Sequence, residues 1–88
     1  MLKDVVEARP IGQHRVYLRF EDGMSGELDL AKMIRFTGIF ASLKDVEEFA
    51  RLRVDPEAGT IVWPNGADLD PDVLYAAVSG TPINEDGS

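Results

Sequence analysis

Residues 14–20 and 24–30 each alternate strictly between two classes of side chain, and only Glu21-Asp22-Gly23 separate them. In the first run His14, Val16, Leu18 and Phe20 point one way, and Arg15, Tyr17 and Arg19 the other. In the second, Met24, Gly26, Leu28 and Leu30 oppose Ser25, Glu27 and Asp29. A period of two is that of a half-buried strand. The register follows from the turn. A two-residue loop would pair Phe20 with Ser25 and send the two apolar faces to opposite sides. A three-residue loop pairs Phe20 with Met24, Leu18 with Gly26 and Val16 with Leu28, and Gly23 fills the left-handed position it needs. The three-residue loop is therefore expected, with Arg15 facing Asp29 on the outer side.

The rest of the chain can be read around this hairpin. Asp4 to Arg9 is expected to be another strand, joined through Pro10-Ile11-Gly12-Gln13. Leu30 to Ile34 has room for a turn or so of helix with Asp29 as cap, before Gly38 breaks the chain. Ser42-Leu43-Lys44-Asp45 matches the capping-box pattern, with Ser42 the cap and Asp45 third in the helix. That helix puts Leu43, Val46, Phe49 and Ala50 on one face. Leu52 to Asp55 and Thr60 to Trp63 form a second hairpin around Pro56-Glu57-Ala58-Gly59, and Pro64-Asn65-Gly66 turns the chain. The last helix has Asp70 as cap, Pro71 in first position, Asp72 near the positive end of the dipole, and Gly80 as stop. Val73, Leu74, Ala77 and Val78 are its expected buried stripe. The expected fold class is α+β, a two-layer arrangement in which an antiparallel sheet of hairpins is covered on one face by two or three short helices. Residues 1–80 make one domain, and residues 81–88 a flexible acidic tail.

Charge is the feature that bears on function. The net charge is −7. All nine Lys and Arg lie in residues 1–53, together with nine acids, so that part is neutral. Beyond it stand Asp55, Glu57, Asp68, Asp70, Asp72, Glu85 and Asp86, with no base. Such a surface repels phosphate backbones and attracts cationic partners, so direct nucleic-acid binding is disfavoured. There is no cysteine, which excludes disulfides and thiolate metal sites. Acids at positions 4 and 7 interrupt any signal peptide, and no apolar run approaches the roughly 20 residues of a membrane span. A cytoplasmic location without membrane attachment is expected.

No arrangement of residues suggests catalysis. His14 is the sole histidine, and nothing in the sequence supplies it with a nucleophile and an orienting carboxylate. Asp68, Asp70 and Asp72 imitate the opening of an EF-hand loop. Its sixth and twelfth positions would be Val73 and Ser79, where Gly and Glu are required, and helix capping accounts for the spacing. No phosphate-binding loop or Gly-x-Ser-x-Gly frame occurs. No enzyme activity, cofactor or metal is expected. For binding, large aromatics carry the most weight. Trp63, Asn65, Asp68, Asp72 and Tyr75 make the candidate interaction patch. Trp63 also fits the core, because Leu52, Val54 and Ile61 share its face, while Tyr75 lies beside the buried stripe of its helix.

Three sets of residues resemble the small bacterial family catalogued as domain of unknown function 2442. They are Val16-Tyr17-Leu18-Arg19-Phe20-Glu21-Asp22-Gly23, then Asp29-Leu30 and Gly38-Ile39-Phe40 with Leu43 and Phe49, and then the run from Ile61-Val62-Trp63-Pro64-Asn65-Gly66 to Leu74-Tyr75. The resemblance implies a small α+β domain and carries no catalytic residue. It also implies genetic pairing with another small domain, in a toxin–antitoxin-like arrangement, and in some relatives an appended helix-turn-helix. The expected function is a non-catalytic intracellular protein-interaction module with a basic protein partner, in the form of an antitoxin-like member of a small operon pair. The alternative is a component of a DNA-linked transcriptional regulator, and a homodimer through a free sheet edge is compatible with either.

Overall fold

The computed structural model describes residues 4–80. The expected acidic tail, residues 81–88, lies outside them, as does Lys3. Strands β1 (Val5–Gly12), β2 (Arg15–Phe20) and β3 (Ser25–Asp29) form an antiparallel sheet in that order. The three-residue loop joins β2 to β3: Phe20 N–H donates to the Met24 carbonyl at 2.8 Å, Leu18 faces Gly26, and Val16 faces Leu28. Gly23 takes a φ of 92°, which an L side chain rarely tolerates. Arg15 does stand opposite Asp29, yet its guanidinium reaches Glu27 instead, at 3.2 Å. The Asp29 carboxylate is already engaged, accepting from Ala31 N–H at 3.1 Å to cap a 3₁₀ turn over Leu30–Lys32.

β1 continues three residues past the expected end at Arg9. Its register slips between Val5 and Glu7 and again between Pro10 and Gly12, so Val6 and Ile11 are bulged residues, each 43% exposed. Two bulges and a proline that lacks an N–H keep the outer edge of β1 from pairing with a further strand.

Strands β4 (Arg53–Asp55) and β5 (Thr60–Val62) pair around the four-residue loop, with Val54 opposite Ile61. They form a sheet of their own rather than an extension of the first. The two meet where Val5 N–H donates to the Gly59 carbonyl at 2.9 Å. Between them lies the helical segment, which departs from the expected capping box. Residues Gly38–Lys44 are 3₁₀, and helix α1 (Val46–Phe49) begins only after Asp45, whose carboxylate caps it through Glu47 N–H at 2.9 Å. The reason is burial. Leu43 and Phe49 are both 0% exposed, and on one continuous α-helix they would stand about 120° apart. An extended Asp45, with ψ 120°, swings the chain so that both point inward, leaving Val46 and Ala50 outside.

Helix α2 (Pro71–Ser79) has the expected termini: Asp70 caps it through Asp72 N–H at 2.9 Å, Pro71 opens it, and Gly80 ends it. Its inward arc differs from expectation. Leu74 is fully buried and Val78 reaches the sheet, but Val73 is 53% exposed. Val73 precedes Leu74 by about 100° of helix rotation, on the side away from Tyr75, which turns inward instead. The core gathers Val5, Val16, Leu18 and Phe20 from the first sheet with Leu30, Leu43, Phe49, Ile61, Trp63 and Leu74. The fold is α+β.

Gly26 sets how closely α2 approaches β3. A Cβ at this position would lie 3.0 Å from Val78 Cγ1. Gly26→Val is expected to lower stability by about 1–3 kcal/mol through overpacking, and Gly26→Ala by less, since the Val78 side chain can turn aside. Urea denaturation checks this; a native midpoint for the valine variant would show that α2 is not held at that spacing.

Candidate interaction surface

The segment from Trp63 to Tyr75 supplies all five residues of the expected patch, and most of it is engaged in the fold. Trp63 is 2% exposed, and its indole N–H donates to the Phe49 carbonyl at 2.8 Å. It belongs to the core and offers nothing to a partner. Trp63 N–H bonds to the Ala67 carbonyl at 2.9 Å, closing a tight reversal over Pro64-Asn65-Gly66. Asn65 uses both ends of its amide. Its Nδ2 donates to the Ile39 carbonyl at 2.8 Å and to Ser42 Oγ at 3.2 Å, while Oδ1 accepts from Ala67 N–H at 2.9 Å. Nothing in the Pro-Asn-Gly pattern distinguishes such a cross-link from a plain turn. Ser42, expected to cap a helix, instead accepts this bond.

Tyr75 is half-buried, its ring edge-on to Phe20 with centroids 5.0 Å apart, and its hydroxyl donates to Asp22 Oδ2 at 2.5 Å. This bond ties α2 to the β2–β3 turn, where Asp22 Oδ1 also accepts from Met24 N–H. The structure therefore removes Trp63 and Asn65 from the patch as free groups, leaves Tyr75 partly accessible, and keeps Asp68 and Asp72 exposed.

The carboxylates divide into two populations. Asp55 and Asp70 are occupied locally, accepting from Glu57 N–H and Asp72 N–H. Glu57, Asp68 and Asp72 are exposed, and none is in an ion pair among the described residues. The ion pairs present join Arg9 and Arg19 to Glu7, Arg15 to Glu27, and Arg51 to Glu48. All fall within the charge-balanced part of the chain. Arg35, Arg51 and Arg53 form no ion pair with Asp68 or Asp72.

The outer face of the first sheet has the opposite character. Arg9, Arg15 and Arg19 surround Tyr17, with the Arg9 guanidinium 4.9 Å from the ring centre, and Glu7 and Glu27 bind all three arginines. His14 is a structural pin. Its Nε2 lies 2.8 Å from the Leu43 carbonyl, which can only accept, so this nitrogen carries the proton. The ring sits between Phe36 and Phe49, at 4.9 and 4.8 Å. Among the described residues no group of three or more His, Cys, Asp or Glu could hold a metal ion. No helix of the described residues is long and apolar enough to cross a membrane.

Residues 5–80 match the family described as protein of unknown function (DUF2442), a span that holds every strand and helix given above. The chain belongs to the DUF2442 family. No curated protein and no solved structure matches it. In this DUF2442 domain, the run from Trp63 to Tyr75 builds the fold through Trp63, Asn65, Asp70 and Tyr75.

Two outcomes follow for the DUF2442 domain. Trp63→Phe removes the indole hydrogen bond to the Phe49 carbonyl, which keeps only Leu52 N–H at 3.2 Å, and removes ring volume, so a loss of about 1–3 kcal/mol is expected by urea denaturation. Tyr75 has its pKa raised from the ordinary value of 10.0, first by the hydrogen bond to Asp22, then by desolvation and the Asp22 charge. As pH rises through the unfolded value, the unfolded chain loses this proton first. The stability linked to it is thus complete below pH 10 and declines as pH climbs through the raised folded value. Phenolate absorbance should show one late-titrating tyrosine that Tyr75→Phe abolishes and Asp22→Asn moves to lower pH. An unchanged titration in Asp22→Asn would remove the assigned cause.

Proposed function

We propose that this domain is a non-catalytic docking module that engages a basic protein inside the cell, as the acidic, antitoxin-like member of a two-protein pair. The observation that carries the reading is the set of unneutralised carboxylates at Glu57, Asp68 and Asp72, in a chain whose ion pairs among the described residues all lie between residues 7 and 51. Charges left in solvent rather than paired cost little to hold and raise the rate of encounter with a cationic surface. Asp68 and Asp72 lie on the approach to α2 and in its first turn, held in place by the Asp70 cap and the Val62–Asp68 bridge. A backbone already held by these hydrogen bonds has less to order on binding.

A DNA-linked role would fall to the sheet face of Arg9, Arg15, Arg19 and Tyr17. Glu7 and Glu27 already neutralise much of that face, which favours the protein-docking reading. The absence of cysteine agrees with a reducing compartment.

The full chain immobilised in host lysate should enrich a basic protein at low salt and less of it at moderate salt. The Asp68→Asn, Asp72→Asn double variant should retain less of that protein while keeping a native unfolding midpoint to within about 1 kcal/mol. Enrichment of no basic protein at either salt would refute the reading.

A further inference from the structure

Where β1 begins, an open groove of about 450 Å³ separates it from the β4–β5 hairpin, lined by Asp4, Val5, Val6, Glu21, Val54 and Pro56. Four of these six are apolar. Val5 is buried and Val54 half-buried, whereas Val6, thrown outward by the bulge, and Pro56 are exposed. The walls are held by hydrogen bonds. Glu21 N–H donates to the Asp4 carbonyl at 2.9 Å, Asp4 N–H to Glu21 Oε2 at 3.2 Å, and Val5 N–H to the Gly59 carbonyl at 2.9 Å. Pro56 lies between Asp55 and Glu57 in the chain. Among the described residues no cation lines the groove, and none pairs with Asp4, Glu21, Asp55 or Glu57.

We propose that this groove receives an arginine or lysine side chain from an extended segment of the basic partner. The inference rests on the docking reading and gives it a second, specific site. The aliphatic stem would lie along Val5, Val6, Val54 and Pro56, with the cationic head between the Asp4 and Glu21 carboxylates. Charge complementarity selects this occupant. A second copy of the chain would bring net −7 against an acidic rim, and the Val6 bulge blocks strand pairing at this end of β1.

Amide chemical shifts of the isotope-labelled full chain provide the test, with two capped probes: Gly-Val-Arg-Val-Gly, and the same peptide with norleucine for arginine. The arginine probe should shift Val5, Val6, Glu21 and Val54 saturably, and the norleucine probe should not. Glu21→Gln keeps the acceptor for Asp4 N–H and should weaken binding roughly fivefold. Val6→Lys, at an exposed position, should weaken it at least as much, while Asp72→Asn should leave it unchanged. Shifts centred on Asp68 and Asp72, or equal responses to both probes, would overturn the assignment. So would binding that tightens tenfold on removal of Met1–Lys3, because the chain's own N-terminus would then be the occupant. If the groove stays silent while a basic protein is still captured through Asp68 and Asp72, this site fails and the docking reading stands.

Discussion

The indole of Trp63 is the joint of this domain. Its N–H, buried with the ring, is satisfied by the Phe49 carbonyl at the end of α1, and the two rings lie 5.6 Å apart. A buried donor without a partner would cost about 1–3 kcal/mol, so the second hairpin can settle only where that carbonyl is presented. The same Phe49 flanks His14, whose Nε2 holds the Leu43 carbonyl of the preceding 3₁₀ helix. Trp63, Phe49 and His14 thereby connect the two sheets through the helical segment between them. A domain of this size has little core to lose, and concentrating its contacts in one aromatic chain compensates for that.

Around this joint the polar groups are used twice over. Asp22, Asp29, Asp45, Asp55 and Asp70 each accept a backbone N–H two residues on, fixing turns and helix starts. Of the acids outside that set, Glu7, Glu27 and Glu48 pair with arginines, whereas Asp4, Glu21, Glu47, Glu57, Asp68 and Asp72 are in no ion pair among the described residues. The fold therefore carries an unbalanced field as a by-product of where its bases lie in the chain, and that field is the physical basis of the proposed docking.

Legibility varied with how local the controlling interaction was. The first hairpin could be read outright, because strict alternation and a glycine at the third loop position admit one register. α2 could be bounded for a similar reason: Asp70, Pro71 and Gly80 each act on their own backbone. The middle of the chain misled. Ser42 and Asp45 match a capping box, but burying both Leu43 and Phe49 needs a break that helical periodicity does not announce. Val73 looked like core and is exposed, since the sheet, through Gly26 and Val78, chooses which arc of α2 turns inward. Among the site residues, Asp68 and Asp72 stand exposed as expected, whereas Trp63 and Asn65 have partners far off in sequence, at Phe49, Ile39 and Ser42.

By itself the sequence determined the register of the two hairpins, the termini of α2 and the segregation of charge along the chain, all of which depend on neighbours a few residues apart or on composition. Tertiary structure alone decided that the hairpins form two sheets, that Trp63 is core, and that Asp4 and Glu21, hydrogen-bonded to each other, line an apolar groove against the β4–β5 hairpin. These are contacts between residues 14 to 54 positions apart. Their geometry follows from packing a thin core, which no local pattern encodes.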